Sequence, residues 1–224
     1  MKAAALLGGP KSEWPQDIKK QLQKFDIVFG VDRGALLLQE LGIKTDVAIG
    51  DFDSLKKPEL QKLEQQVSDI RYSNPIKDLT DSELMLQVAL KDYQVDELTV
   101  FGATGGRIDH FLTNLLMILN PKITKFVSKI SLIDKQNYVK FYSSGNFYIE
   151  EKKLYPYFGV MNLTEVQDLN IQGARYNLVN YNGKYPRVFS SNEFLPNENK
   201  FNLSFKKGIV AIIWSKDINR FYNI

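Results

Sequence analysis

Residues 49–54 read Ile-Gly-Asp-Phe-Asp-Ser (IGDFDS), and the fold turns on how they are read. The residues before them, Asp46-Val47-Ala48-Ile49, look like a short buried strand. That strand ends on two carboxylates one residue apart. In an extended chain, side chains at i and i+2 point to the same side. Asp51 and Asp53 are therefore expected side by side, a repulsive pair that needs a cation, an arginine or bulk water.

Outward from this stretch, the first half of the chain alternates two textures. Strand candidates are Ala3–Leu7, Ile27–Val31, Val47–Ile49, Ile70–Tyr72 and Leu98–Phe101. Between them apolar residues recur at three- and four-residue steps: Ile18, Leu22 and Phe25; Leu60, Leu63 and Val67; Leu84, Met85, Val88 and Ala89. Each set predicts a helix burying one face. A fourth stripe, Phe111, Leu112, Leu115, Leu116 and Leu119, is stopped by Pro121. Such alternation predicts an α/β domain with a Rossmann-like, mostly parallel sheet flanked by helices.

The texture changes near residue 125. The runs ISLID, NFYIEE, YFGVMNL, FNLSF and GIVAIIW are short and β-rich, and Ser143-Ser144-Gly145-Asn146 and Asn182-Gly183 supply turns. Helical periodicity is missing. The expectation is a catalytic α/β domain over residues 1–125 and a domain of antiparallel strands, a sandwich or barrel, over 126–224.

Bulk properties narrow the classes. Of 224 residues, 44% are apolar and 25% charged, an ordinary globular balance. A net charge of +3 is too small to mark a dedicated nucleic-acid binder. The absence of cysteine removes disulfides and thiolate metal sites. The apolar run at the start, Ala3 to Leu7, is shorter than the ~7–15 residues of an export signal and reads as a first strand before a Gly-Gly turn. No apolar run approaches the ~20 residues of a membrane span. A cytoplasmic protein without membrane or nucleic-acid partners is expected.

In an open parallel sheet, ligands sit beyond the C-terminal strand ends. The acids of the first half fall there: Asp32 after Ile27–Val31, Asp51 and Asp53 after Val47–Ile49, Asp78 and Asp81 after Ile70–Tyr72, Asp109 after Leu98–Phe101. Carboxylates from four strand ends suit Mg²⁺, which binds through a few carboxylates, waters and substrate phosphates. Gly102, Gly105 and Gly106 let backbone N–H groups approach an anion. Arg107 can clamp a phosphate with its planar fork. Helices starting near Thr80 and His110 aim positive ends at the same place. Acids with Mg²⁺ beside glycines and an arginine are the equipment of phosphoryl transfer.

Simpler roles stand beside these. Thr80 and Glu83 match a capping box, and Asp109 reads as an N-cap. Asp81 suits any first helical turn. Gly105-Gly106 is a turn, Arg33 and Arg107 are surface charges, and His110 makes a local hydrogen bond at a helix start.

Five stretches, VDRGALLL (31–38), IGDFDSL (49–55), DLTDSELML (78–86), GGRIDHFLTNL (105–115) and SSNEF (190–194), resemble in order the motifs of the thiamine pyrophosphokinase (thiamine diphosphokinase) family. The resemblance implies an α/β catalytic domain followed by a β-sandwich domain. It implies transfer of a diphosphate group from ATP to the hydroxyl of thiamine, with thiamine diphosphate and AMP as products. It implies a homodimer with thiamine bound near the subunit interface. By motif, Asp51, Asp53 and Asp81 would hold Mg²⁺, with Asp78 completing the acidic cluster. Asp32, Arg33, Thr80, Gly105, Gly106, Arg107, Asp109 and His110 would line the ATP side. Tyr176, Ser191 and Asn192 would meet thiamine. Asp81 and Asp109 are alternative proton acceptors for the hydroxyl. A nucleotide-sugar transferase would share the D-x-D pair but leaves GGRIDH and DLTDSE without a purpose. A P-loop is absent.

Overall fold

The computed structural model describes residues 1–73 and 79–217. The chain forms two compact units, Met1–Lys135 and Gln136–Ile224.

The first unit is built on six strands: β1 (Lys2–Leu6), β2 (Ile27–Val31), β3 (Val47–Gly50), β4 (Asp69–Tyr72), β5 (Glu97–Phe101) and β6 (Ile130–Ile133). They lie in the order β4-β3-β2-β1-β5-β6, every pairing parallel. β2 and β3 are buried at every residue, as expected of parallel strands covered on both faces. The expected strands are all present. The run Ile130–Ile133, expected among the antiparallel strands of the second domain, is instead a sixth parallel strand of this unit, with Leu98 opposite Ile130.

The described α-helices are α1 (Ile18–Leu22), α2 (Arg33–Glu40), α3 (Lys57–Gln66), α4 (Asp81–Gln87) and α5 (Ile108–Leu116); α1, α3, α4 and α5 follow the apolar stripes, and α2 is not among the expected helices. Ile18 and Leu22 of α1 join Leu37 and Leu38 of α2 in one core cluster. Leu63 of α3 sits with Ala48 and Phe52 in another. A wider π-helical turn, Val88–Asp92, continues α4 and buries Val88, Ala89 and Leu90. The stripe on α5 departs from expectation. Leu115 is buried, whereas Leu112 and Leu116 are 45% and 43% exposed and Ile108 is 73% exposed. Those three are spaced by four residues, so α5 shows solvent an apolar edge.

The order of strands positions the site. β1 to β4 are laid outward on one side, and β5 then returns beside β1. At such a switch point the loops leaving adjacent strands diverge and open a crevice.

The second unit has β7 (Asn137–Glu150), β8 (Tyr157–Asn162), β9 (Val166–Gln172), β10 (Leu178–Gly183), β11 (Arg187–Asn192) and β12 (Lys200–Ser215). All pair antiparallel. β12 first runs between β7 and β9, then between β7 and β8. The change occurs where the register with β7 shifts between Phe205 and Ile209. Gly208 lies there at φ +108°, and a Cβ on it would stand 2.3 Å from the Glu165 carbonyl oxygen. Only glycine fits that bend. Across the core, Phe158 of β8 stacks on Phe201 of β12 with centroids 4.3 Å apart.

Candidate functional site

The acidic stretch that opened the reading is a turn, not an extended chain. β3 ends at Gly50, and Phe52 adopts φ +57°. Its ring is 2% exposed and meets Tyr72 edge-on at 5.6 Å, and this burial holds an unfavourable backbone conformation in place. The Asp53 N–H donates to Asp51 Oδ1 at 3.1 Å, closing the turn. Both carboxylates are still brought together, and Asp32 joins them: one ligand atom from each of Asp32, Asp51 and Asp53 lies within 4.8 Å of the others.

Asp32 follows β2 with φ +47°. The Ser54 hydroxyl donates to its Oδ1 at 3.0 Å. Burial raises the Asp32 carboxyl above its ordinary value; the Ser54 and Arg33 hydrogen bonds oppose this, and the charges of Asp51 and Asp53 add to it. Asp81 opens α4. Its carboxyl is also raised, first by burial, against a hydrogen bond from Ser73 and with the charges of Asp51, Asp32 and Asp53. Four acids from two strand ends and a helix start thus share one field. Asp78 lies outside the described residues.

Thr80 caps α4. The Glu83 N–H donates to Thr80 Oγ1 at 3.3 Å, and the Thr80 N–H donates to the Glu83 carboxylate at 3.0 Å. The expected capping box is present, and Thr80 also borders the cavity described next.

A cavity of about 580 Å³ occupies the crevice. Its floor is the end of β1, Leu7 to Pro10, against the loop after β5. The Gly9 N–H donates to the Gly102 carbonyl at 3.0 Å. Gly102 has φ +67°, and a Cβ there would lie 2.6 Å from the Leu7 carbonyl oxygen. Asp32, Arg33, Thr80 and Asp81 border one side, and Gly105, Gly106, Arg107 and His110 the other. Residues at the starts of α2, α4 and α5 therefore all border this space, and the three helix dipoles bring positive potential to it.

Arg33 is exposed and has no ion-pair partner among the described residues. Arg107 is committed to Asp109 through two hydrogen bonds, 3.1 and 2.5 Å. The guanidinium pushes the Asp109 carboxyl down to about 2. Asp109 is neither the cap of α5, which starts from Arg107 without a side-chain cap, nor a lining residue of the cavity. His110 is exposed at its edge.

Sequence reasoning missed Gly8, Gly9, Ser54, Ser82 and Asn114, which also line the cavity. The available signal was positional: Gly8-Gly9-Pro10 follows the first strand just as the glycine loop follows β5.

In the second unit, Tyr176 is 57% exposed, and Ser191 is exposed with φ +57°. Asn192 is 4% exposed. Its Oδ1 accepts from the Tyr176 N–H at 3.0 Å and the Glu193 N–H at 2.9 Å, and its Nδ2 donates to the Tyr176 carbonyl at 2.8 Å. Three hydrogen bonds commit this amide to the backbone, so Asn192 fixes the segment that presents Tyr176. Arg175 pairs with Glu193 at 2.7 Å and lies 5.5 Å from the Tyr176 ring.

Comparison with known proteins agrees with this division. A family model described as thiamin pyrophosphokinase, catalytic domain, matches residues 18–130, and one described as its vitamin B1 binding domain matches residues 146–210. The chain is 35% identical over 212 residues to a thiamine pyrophosphokinase of Bacillus subtilis (strain 168), covering 94% of this chain and 96% of that protein. A solved thiamin pyrophosphokinase family protein from Enterococcus faecalis superposes with a TM-score of 0.89 at 34% identity, covering 97% of this chain and all of that one. The solved thiamine pyrophosphokinase of Bacillus subtilis gives 0.81 at 31% identity, over 97% of this chain and 100% of that one.

Proposed function

The chain belongs to the thiamin pyrophosphokinase family, and from that premise we propose how its residues divide the work. The activity is thiamine diphosphokinase: a diphosphate group moves from ATP to the hydroxyl of thiamine, leaving thiamine diphosphate and AMP. The observation that carries the site assignment is the Asp32, Asp51 and Asp53 cluster beside a glycine-floored cavity.

The donor set fits Mg²⁺. It offers hard carboxylate oxygens, close enough that uncompensated charge is costly, and the half-burial of Asp32 and Asp51 strengthens that cost. Asp51 and Asp53 would hold the ion, with Asp32 and Asp81 beside them. When bound, Mg²⁺ supplies charge neutralisation for phosphate oxygens. The glycine-loop amides and Arg33 bind the triphosphate, and the starts of α2, α4 and α5 add positive potential. Arg107, oriented by Asp109, binds oxygens that gain charge as AMP leaves. The chain's main contribution is alignment of the β-phosphorus with the thiamine hydroxyl, since loose phosphoryl transfer asks little of a base. Asp81, whose carboxyl is raised, is the acid better suited to accept the hydroxyl proton; Asp109, held by Arg107, is poorly suited.

The second unit supplies the thiamine side, with Tyr176 offering a ring face to the cationic thiazolium, Ser191 a hydroxyl, and Asn192 the support for both. The assembly is a homodimer in a reducing cytoplasm. The Ile108, Leu112 and Leu116 edge gives a second copy an apolar surface to cover. No helix among the described residues is long and apolar enough to cross a membrane.

The test is Asp53→Asn with ATP, Mg²⁺ and thiamine. A loss of turnover of at least ~100-fold with unchanged thermal unfolding is expected, and normal turnover would refute the metal assignment. Chelation should abolish activity, and light scattering of the wild-type chain and of Leu112→Glu should report dimer and monomer respectively.

A further inference from the structure

Asn114 lies on α5 and lines the cavity, and none of the roles above uses it. Its side chain nevertheless joins the glycine loop to the first turn of α4. Its Nδ2 donates to the Ala103 carbonyl at 3.0 Å, inside the glycine loop. Its Oδ1 accepts from the Ser82 hydroxyl at 3.0 Å, one residue beyond Asp81. The orientation of the amide follows from chemistry. A carbonyl can only accept, so the NH₂ must face Ala103, which leaves the oxygen for the hydroxyl.

The glycine loop needs such a tie. Gly102, Gly105 and Gly106 all have positive φ, and a loop of this composition has many backbone states to choose from. Thr104 is already anchored on the far side, donating to Asp134 Oδ2 at 2.7 Å. Asn114 anchors its neighbour Ala103 toward α4. The three residues are 21 and 11 positions apart or more in the chain, at 82, 103 and 114, so nothing local sets their spacing. A second tie runs parallel: Asn120 Nδ2 donates to Glu83 Oε1 at 3.1 Å, holding the capping glutamate of α4 to the segment after α5.

We propose that Asn114 is a positioning residue: it fixes the glycine loop and the start of α4 at one separation across the cavity, so that phosphate-binding amides and the Asp81 carboxylate address one triphosphate together. This rests on the site assignment given under the proposed function. Ser82 is its lever on α4, and Ala103 its lever on the loop. Removal of the tie leaves the individual groups intact but lets their spacing vary, and reactions governed by alignment are sensitive to small misplacements.

The experiment is steady-state kinetics and thermal unfolding of Asn114→Ala, Ser82→Ala, Ser82→Thr, the Ser82→Ala/Asn114→Ala double variant and, as control, Asp53→Asn. Asn114→Ala should raise KM for ATP and lower kcat, with a combined loss in kcat/KM for ATP of roughly 10–100-fold, the range seen when a supporting shell is removed. KM for thiamine should stay within about twofold, by the same reasoning. Ser82→Ala should move the same constants in the same direction, Ser82→Thr should restore them, and the double variant should be little worse than Asn114→Ala because the residues act through one contact. If Asn114→Ala folds poorly, the Ser82 pair carries the test, since it removes only one half-buried hydroxyl. Variants that lose melting temperature but keep both ATP constants would show a merely structural role and overturn the inference. If that happens while Asp53→Asn is inactive, the site assignment stands and the positioning role alone fails. An active Asp53→Asn would overturn the site assignment and the inference with it.

Discussion

Ser54 donates its hydroxyl hydrogen to Asp32 Oδ1 at 3.0 Å, tying the end of β3 to the end of β2 across 22 residues of chain. Asp32 is half-buried among other acids. Without that hydrogen bond, burial and the charges of Asp51 and Asp53 would act on its carboxylate with less opposition. The contact thus offsets part of the cost of the Asp32 charge at a half-buried place.

That cost gives a pH signature. Asp32 and Asp81 both have carboxyls raised above the ordinary 3.8. Between 3.8 and their raised values the native state binds more protons than the unfolded state, so their contribution to stability falls as pH rises. Above the raised values the cost is complete and constant. Asp32→Asn removes it, and asparagine tolerates the positive φ at this position. The melting-temperature advantage of Asp32→Asn over the parent, measured without metal, should be smallest near pH 3.5, grow as pH rises through the raised Asp32 range and then hold level to pH 7. Addition of Mg²⁺ at pH 7 should shrink that advantage by stabilising the parent. An advantage independent of pH would contradict the electrostatic account.

Much of this was readable from the residues alone, for physical reasons. Parallel strands covered on both faces are continuous apolar runs, so Ile27–Val31 and Val47–Ile49 announce themselves. Acids that recur at strand ends mark the ligand edge without any contact being known. Other features were hidden. The run Ile130–Ile133 reads like the β-rich runs after it, and a four-residue strand carries no mark of the parallel sheet that receives it. The reversal at Phe52 needs a positive φ that no glycine advertises. Periodicity shows that α5 has an apolar stripe, but not that Ile108, Leu112 and Leu116 face outward. Asn192 looks like a ligand-binding amide in sequence, and only the fold reveals that the Tyr176 backbone occupies it.

Thr80 separates a cap from a substrate contact. Thr80→Ala leaves the Glu83 N–H without its partner and should cost about 1 kcal/mol of stability, measured by urea unfolding. Thr80→Ser keeps an oxygen in the same place and should keep the stability. If capping is the whole role, KM for ATP will be equal in both variants. A raised KM in Thr80→Ala that Thr80→Ser restores would add a direct contact with the nucleotide.

Gly102 combines φ +67° with a 2.6 Å approach to the Leu7 carbonyl oxygen. Gly102→Ala therefore meets strain and collision together, and it should lose more than the ~1 kcal/mol that the same change gains where alanine fits the backbone. The floor of the cavity moves with it, so KM for ATP should rise alongside the fall in the urea midpoint. A variant with parental stability would show that the loops after β1 and β5 are not locked to each other.

Tyr176 and Asn192 divide presentation from support in the second unit. Tyr176 is exposed, so Tyr176→Ala removes little packing and should leave unfolding within about 0.5 kcal/mol of the parent. Asn192→Ala abandons two backbone N–H groups and a carbonyl in a buried setting, and should destabilise by at least ~2 kcal/mol. Both variants should raise KM for thiamine and leave KM for ATP unchanged, one by loss of the ring and the other by its displacement. Asn192→Asp sharpens the comparison, because its carboxylate still accepts from the Tyr176 and Glu193 N–H groups but faces the Tyr176 carbonyl with oxygen instead of NH₂. It should fall between the parent and Asn192→Ala in stability and recover toward the parent as pH drops through the carboxylate range. A thiamine KM that follows Tyr176→Ala but ignores both Asn192 variants would mean that the ring finds its place without this support.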